Sequence, residues 1–431
     1  MKSLARLLLF ITVFILPACC SNAGNFVYAQ GTQLMLGGSV YKVAGDNYHF
    51  LQVSDHSQIN EAFDTEIPGM HLNTVRLFGM WSAQNGNARA VATEPDIANI
   101  YFQDYSGGAQ LFNDGTNGMQ VLDYILFKAR DKGIKIIFVL QDDHGYHGGV
   151  PQYLKWLGYA DDRTGHDLFY SDSRFQAFYK NWASHVLNHT NCYTGVAYKN
   201  DPTVLAWELM NEASIYGPNE AVVWNWYSMM ARYIKSIDTN HLVADGGTGF
   251  FNRGTSKYGG TGSAYKDKED FVKTLVSCPG VDIFTFHCYP QYDDYPSNPR
   301  WANTKFIPDH YVAGSNANVP VLMEEFGWDG HNYSAQVSAM NLWCQAVESA
   351  NGCGWNFWDG GACNYNGADD TNYTVSGGEK DDVGGAGFAT PYNSPTGVML
   401  KAAADRMIAL ATLPPAGSVG FHTNHLGNGL P

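Results

Sequence analysis

Eight short apolar runs alternate with helix-like stretches along the chain, and this alternation constrains the fold more than any other feature. The runs span residues 39–45, 73–79, 134–140, 203–210, 241–247, 282–289, 320–327 and 353–360. They are rich in β-branched residues and apolar on both faces, which is typical of parallel strands covered by helices. Eight such units predict an α/β fold, a single (β/α)8 TIM barrel with its active site at the C-terminal ends of the strands. A doubly wound open sheet is the structural rival, but no Gly-rich phosphate turn follows the first run.

The two termini are predicted to lie outside this barrel. Lys2 and Arg6 precede an apolar run, 7–16, that is too short to span a membrane, so residues 1–23 read as a signal peptide. Residues 24–413 then form the catalytic domain, and 414–431 form a flexible tail. We expect a secreted, extracellular protein without a membrane span. Cys19 ends a stretch that loosely resembles a lipoprotein box, which makes a lipid anchor the less favoured alternative.

Removal of the signal peptide leaves an even number of cysteines. In an exported chain this predicts disulfide bonds, although their pairing cannot be read from sequence. Neither a CxxC pair nor a His/Cys cluster has zinc spacing, so we expect no metal site and no cofactor. The six cysteines are Cys192, Cys278, Cys288, Cys344, Cys353 and Cys363.

The composition restricts the partners. A formal net charge of −15 argues against nucleic acid or an anionic membrane surface as a partner. An aromatic content of 14% is high, and aromatic rings stack on the apolar faces of sugars. The excess hints at a polysaccharide or oligosaccharide substrate, although core packing accounts for most of these aromatic residues. The protein is also expected to be a monomer.

Polar residues stand at the ends of six of the eight predicted strands. A single histidine or arginine of this kind would most simply be a satisfied core residue, but six strands that end alike converge on one mouth. The residues are Arg76, His144, Asn211, Glu212, His287, Tyr289, Glu324, Glu325 and Trp358.

Such a mouth suits cleavage of a glycosidic bond. One carboxylic acid protonates the leaving oxygen, while a second carboxylate acts as nucleophile or base. We expect Arg76 to keep the seventh-strand carboxylate ionised, and its charge to raise the pKa of Glu212. Because side chains alternate along a strand, only one of Glu324 and Glu325 should point inward, and the pattern alone leaves open which one.

The motifs WELMNE, HCY and EEFG, with the arginine of the second strand, resemble glycoside hydrolase family 5. The segment 148–212, with GGVPQYLKW and FYSDSRFQAFYKNW, is similar to that of plant and fungal endo-β-1,4-mannanases. The resemblance implies a retaining mechanism in which Glu212 is the acid/base and Glu325 the nucleophile. Glu324 would then face away from the barrel lumen.

Further roles follow from the same resemblance. It places substrate-binding groups at Arg76, Asn211, His287 and Tyr289, and an aromatic platform at Trp358, with Trp355 close enough to be confused with it. From its position alone, His144 either binds substrate or caps a loop. Asp142 and Asp143 are expected to be loop or subsite residues, and Glu208 a tethered core carboxylate.

Several loop sequences depart from the family pattern. NEAS, with Ala213 and Ser214, replaces NEP-R, while RLFGMW, QDDH and GGTGFF replace other stretches that line sugar subsites. The catalytic interpretation is unaffected, but the polymer is less firmly indicated. A β-1,4-mannan is favoured. The alternatives are another β-glucan or hemicellulose, action from chain ends, and a carbohydrate-binding pseudoenzyme.

Overall fold

The structure is a computed structural model. It describes residues 25–88, 99–162, 164–217, 219–251, 270–290, 299–328, 333–360, 374–375, 379–380 and 390–412. The predicted signal peptide, the predicted tail and Cys363 lie outside the described residues. Within the described part of the chain, no helix has both the length and the apolarity needed to cross a membrane.

The described residues contain these strands in chain order: β1 (Tyr28–Gln30), β2 (Gln33–Leu36), β3 (Ser39–Tyr41), β4 (Val43–Asn47), β5 (Thr74–Phe78), β6 (Gln103–Ser106), β7 (Ala109–Phe112), β8 (Lys135–Val139), β9 (Val204–Glu208), β10 (Leu242–Ala244), β11 (Phe284–Cys288), β12 (Val321–Phe326), β13 (Gly354–Phe357), β14 (Thr374–Val375) and β15 (Glu379–Lys380). Eight parallel strands form the predicted barrel, in the order β10-β9-β8-β5-β4-β13-β12-β11. The barrel closes between β10 and β11, where Ala244 pairs with Ile283 and the Asp282 N–H donates to the Val243 carbonyl at 2.8 Å.

Helices connect the barrel strands and cover the outside of the barrel. Long amphipathic segments form most of this layer, and side chains of Asp55, Asp172, Asp270 and Ser394 cap helix N-termini. The helices are α1 (His56–Glu61), α2 (Ile67–Gly69), α3 (Met119–Lys132), α4 (Gly149–Trp156), α5 (Gly165–Ser171), α6 (Ser173–Asn188), α7 (Ala221–Ile237), α8 (Phe271–Ser277), α9 (Pro299–Trp301), α10 (Ile307–Ala317), α11 (Tyr333–Ser349) and α12 (Pro395–Ala409).

A small antiparallel sheet, β1–β2–β3, precedes the barrel and packs against its N-terminal end. The predicted first strand, 39–45, is divided between β3 of this sheet and β4 of the barrel. Val27, which precedes β1, and Leu34 of β2 join Val43, Leu205 and Leu322 in one buried cluster. The bottom of the barrel is thereby closed by apolar side chains, so the polar strand ends meet only at the opposite mouth.

Three of the cysteines that the structure describes are not in disulfide bonds. Cys192, Cys344 and Cys353 are free thiols. Burial raises the pKa of Cys353 to about 12, so this thiol stays protonated and behaves as a small apolar side chain. Disulfide bonds are therefore not shown for these three residues, and Cys344 and Cys353 fill core positions on α11 and before β13.

Candidate active site

Arg76, on the second barrel strand, is the centre of the polar mouth. Its side chain is wholly buried, and its Nε and Nη2 donate to the two carboxylate oxygens of Glu208 at 2.7 and 2.5 Å. Nη1 donates to Glu325 and Asn47, and Nη2 also donates to Asn211 Oδ1 at 2.8 Å. A buried charge is stable only when it is paired in this way. Glu208 is therefore the tethered core carboxylate that the sequence predicts.

Glu324 and Glu325 both reach the interior of the barrel. Glu325 Oε1 accepts from Arg76 Nη1, and its Oε2 accepts from the Tyr289 hydroxyl at 2.9 Å. Glu324 is fully buried, and its Oε1 lies 3.6 Å from Arg76 Nε. The expectation that Glu324 faces away from the lumen is therefore wrong.

A β-bulge explains the inward position of both carboxylates. Phe286 on β11 pairs with Met323 on β12, but the next residue, His287, pairs with Glu325. Glu324 is thus the extra residue on the bulged strand. A bulge interrupts the alternation of side chains between the two faces of a strand, so consecutive residues can point to the same side.

Glu212 lies four residues beyond the end of β9 and faces the same mouth. Its backbone is left-handed, with φ at +51°, and its N–H donates to the Gly246 carbonyl at 2.8 Å. His144 Nε2 lies 2.8 Å from one carboxylate oxygen, and His287 Nδ1 lies 2.7 Å from the other. A left-handed non-glycine residue costs about 1–2 kcal/mol. The two histidines and the Gly246 carbonyl hold the carboxylate in this strained position.

His287 links the two carboxylates. Its Nδ1 is 3.3 Å from Glu325 Oε2 and 2.7 Å from Glu212 Oε1. One oxygen of each glutamate and a ring nitrogen of His287 all lie within 4.8 Å of one another. Retaining glycosidases place the two carboxyl groups about 5–5.5 Å apart and inverting ones about 6.5–9.5 Å. The nearest oxygens of Glu212 and Glu325 are within 4.8 Å of each other.

Both histidines hold protons strongly. Burial alone would lower the pKa of His287, but the charges of Glu325 and Glu212 outweigh it and raise this pKa to about 10. For His144, burial is outweighed by the hydrogen bond to Glu212 and the charge of Asp142, and the pKa rises to about 9. The hydrogen-bonded group of Glu212 and its two histidines therefore retains protons throughout the neutral range.

Asn211 is oriented from both sides. Its Oδ1 accepts from Arg76 Nη2, and its Nδ2 donates to Asp142 Oδ1 at 2.9 Å. Asp142 is buried and also accepts from the His144 backbone N–H at 3.1 Å. Asp142, expected to be a loop or subsite residue, thus fixes the Asn211 amide and the backbone of His144 by accepting a hydrogen bond from each.

Trp358 and Trp355 have different environments. Trp355 is fully buried and packs edge-on against Phe326 in the core. Trp358 is partly exposed, stacks on His49 with ring centroids 5.0 Å apart and lies edge-on to Phe78. This geometry favours Trp358 as the aromatic surface of the mouth. Sequence reasoning missed His49, which follows the first barrel strand without any motif around it.

Two departures from the family pattern meet in one buried network. Ser214 Oγ donates to Asp143 Oδ2 at 2.6 Å, and the Tyr170 hydroxyl donates to Asp143 Oδ1 at 2.8 Å. His166 Nε2 also lies 2.9 Å from Asp143 Oδ1. The serine of NEAS and the second aspartate of QDDH are therefore matched to each other and anchor the segment after Glu212. Asp143 is a support for this segment.

All eight of the predicted catalytic and substrate-binding residues are brought to the C-terminal mouth of one parallel barrel. Comparison with known proteins gives the same class. A family model described as GH family 5 beta-mannosidase-like matches residues 24–345. The chain folds as a TIM-barrel glycoside hydrolase.

Individual relatives agree with this match. Mannan endo-1,4-beta-mannosidase 1 of Oryza sativa subsp. japonica is 32% identical over 73% of this chain and 72% of its own length. Mannan endo-1,4-beta-mannosidase A of Podospora anserina is 29% identical over 71% and 75%. The crystal structure of the endo-1,4-beta-mannanase from Rhizomucor miehei superposes with a TM-score of 0.72 at 27% identity, covering 90% of this chain and 99% of that one. The chain belongs to glycoside hydrolase family 5.

The left-handed backbone at Glu212 predicts an unusual order of stabilities. Glu212→Gly and Glu212→Ala lose the same hydrogen bonds, but only alanine keeps a Cβ in the left-handed region. Alanine is strained in this conformation, whereas glycine loses more conformational entropy on folding. Because the strain is the larger effect, we expect the glycine variant to be the more stable by about 0.5–1 kcal/mol. Urea unfolding followed by tryptophan fluorescence measures the difference.

The control is the same pair of substitutions at Asn181, which is exposed within α6. There the order should be reversed, with glycine less stable than alanine by about 1 kcal/mol. An alanine variant at Glu212 that equals or exceeds the glycine variant in stability would contradict the left-handed geometry.

The raised pKa of His287 predicts a loss of stability at alkaline pH. Because the folded-state pKa of about 10 lies above the unfolded value of about 6.5, the stabilisation is complete below pH 6.5 and is lost as the pH rises towards 10. Wild type should lose on the order of 4 kcal/mol more than His287→Gln across this range. Unfolding free energies at pH 6.5 and 10 test this.

Phe284→Leu provides the matched control on the same strand, because it removes apolar packing and no titratable group. Its unfolding free energy should differ from that of wild type by the same amount at both pH values. Parallel curves for wild type and His287→Gln would show that His287 holds no proton between pH 6.5 and 10.

Proposed function

We propose that the protein is an exported endo-acting glycoside hydrolase that cleaves β-1,4-mannan with retention of anomeric configuration. The spacing of Glu212 and Glu325, within 4.8 Å at their nearest oxygens, is the observation that carries the retaining mechanism. The names of the relatives from Oryza sativa and Podospora anserina support mannan as the polymer. The apolar N-terminal segment 7–16 supports export.

Glu325 is the nucleophile in this proposal. Arg76 and the Tyr289 hydroxyl each donate to one of its oxygens, which fixes the direction of the carboxylate. One oxygen attacks the anomeric carbon as the glycosidic bond breaks, and an ester between sugar and Glu325 results. Both donors remain available to stabilise the carboxylate when the ester is later cleaved.

Glu212 is the acid/base. It protonates the departing glycosidic oxygen in the first step and removes a proton from the attacking water in the second. The 2.7 Å contact with His287 allows one proton to be shared between the two side chains. Protonation of the departing oxygen requires this shared proton to be on Glu212 when the sugar occupies the mouth.

The remaining mouth residues position the sugar. Asn211 is held so firmly by Arg76 and Asp142 that it presents a fixed amide to a sugar hydroxyl. Trp358 offers a partly exposed indole face for stacking against the apolar side of the ring. Preorganised groups of this kind contribute to catalysis because they are not rearranged in the transition state.

A second candidate is action from chain ends, or on another β-linked polysaccharide. The match to a beta-mannosidase-like family model favours action from mannan chain ends over action on another polysaccharide. A carbohydrate-binding protein without turnover is disfavoured, because both carboxylates and their supporting hydrogen bonds are in place.

The function is tested with β-1,4-mannan, β-1,4-glucan and xylan. We expect mannan to be cleaved fastest, and its viscosity to fall well before many reducing ends appear, as internal cleavage requires. Glu325→Gln should retain less than about one-thousandth of wild-type turnover, since the nucleophile is lost. Glu324→Gln is the matched control one residue away and should keep far more activity.

Slow loss of viscosity with rapid release of single sugars would establish action from chain ends. Preferred cleavage of glucan or xylan would contradict the assignment to mannan. If Glu325→Gln hydrolyses mannan better than Glu324→Gln does, the roles of the two adjacent carboxylates have been exchanged.

A further inference from the structure

Asp114, His185 and His189 form a group of metal-ligand atoms in the helical layer, apart from the residues of the mouth. His185 Nε2 lies 2.8 Å from Asp114 Oδ1, and His189 Nδ1 lies 3.7 Å from the same oxygen. All three ligand atoms fall within 4.8 Å of one another. Two imidazoles and a carboxylate are a donor set that suits divalent transition-metal ions.

The tautomer of His189 is fixed by a buried carboxylate. Asp123 is fully buried and accepts from the Tyr198 hydroxyl at 2.7 Å and from the Cys192 backbone N–H at 3.1 Å. It lies 3.0 Å from His189 Nε2, so this nitrogen carries the proton. In the neutral imidazole the lone pair is then on Nδ1, which faces Asp114. A carboxylate behind a histidine is the arrangement that orients metal-binding imidazoles.

The contact between His189 Nδ1 and Asp114 is not a hydrogen bond. At 3.7 Å it is too long, and it places a nitrogen lone pair opposite a carboxylate oxygen. Two acceptors in this position repel each other, whereas a cation between them is attracted by both.

The surroundings hold the second imidazole and favour positive charge. The ring of His185 stacks on Phe112 with centroids 4.2 Å apart, which limits its rotation. His185 is in the last turn of α6 and His189 is its C-cap, so both lie at the negative end of the helix dipole.

We propose that Asp114, His185 and His189 bind a divalent transition-metal ion of the Zn²⁺ class, with water completing the coordination. Zinc–nitrogen and zinc–oxygen bonds of about 2.0–2.2 Å need ligand atoms roughly 3.4 Å apart in a tetrahedral site, so only small side-chain shifts are required. On binding, the proton of His185 moves from Nε2 to Nδ1. The ion ties the segment that follows β7 to the end of α6.

The sequence shows only half of this site. His185 and His189 are four residues apart, the spacing that places side chains on one face of a helix. The third ligand and the orienting carboxylate are 71 and 66 residues away from their histidines. The expectation of no metal site rested on the spacing of Cys and Cys/His residues, and a group of two histidines and a distant aspartate has no such spacing.

Calorimetric titration of the metal-free full-length protein with Zn²⁺ alone tests the proposal. Wild type should bind zinc at this site and unfold at a higher temperature with zinc than without it. His185→Ala and His189→Ala should each weaken binding by at least about 10-fold and lose the rise in unfolding temperature. Unfolding temperatures without zinc show whether each variant is folded.

His71→Ala is the matched control, because His71 also faces an aspartate, Asp405, at 2.8 Å on the surface but, among the described residues, belongs to no group of three metal-ligand side chains. It should bind zinc as wild type does. Zinc binding that is unchanged in both His185→Ala and His189→Ala would overturn the proposal. If zinc still bound to both variants and also inhibited mannan hydrolysis, the ion would lie at Glu212, His287 and Glu325.

Discussion

The buried guanidinium of Arg76 is the interaction on which the mouth of the barrel depends. It donates to Glu208 with two nitrogens and to Glu325 with a third, and it approaches Glu324 at 3.6 Å. Three strands, β5, β9 and β12, are thereby joined at their C-terminal ends. A charge so completely removed from water is stable only while all of these partners are present. The position of the proposed nucleophile is therefore set by the core, not by a loop.

Around Arg76 the carboxyl groups outnumber the positive charges, so some of them must keep protons. Burial raises the pKa of Glu208, and repulsion from Glu324 adds to this effect against the attraction of Arg76. Glu208 and Glu324 thus retain one proton between them. A second proton is retained by Glu212 and His287. The mouth thus holds protonated groups beside carboxylates, which is the kind of environment that glycoside hydrolysis with two carboxylates requires.

The barrel and most of the site could be predicted because both depend on local patterns. Parallel strands buried on both faces are uniformly apolar, and a polar residue at the end of such a strand is conspicuous, as with Asn211 and Glu212 after β9. Glu324 could not be placed correctly, because a bulge is decided by pairing between β11 and β12 and leaves no trace in the sequence of either strand. The contact between Ser214 and Asp143 was hidden for a similar reason: 71 residues separate them. In the sequence, Ser214 and Asp143 stand out only because they depart from the family pattern.

Glu325, not its neighbour Glu324, is proposed to form the covalent bond to the sugar. Incubation with an activated 2-deoxy-2-fluoro-mannoside slows hydrolysis of the glycosyl ester and allows the labelled residue to be found by peptide mass spectrometry. The structure predicts a single fluorosugar on Glu325. A label on Glu324 would contradict the assignment and would mean that the bulged residue, and not the one held by Arg76 and Tyr289, attacks the substrate.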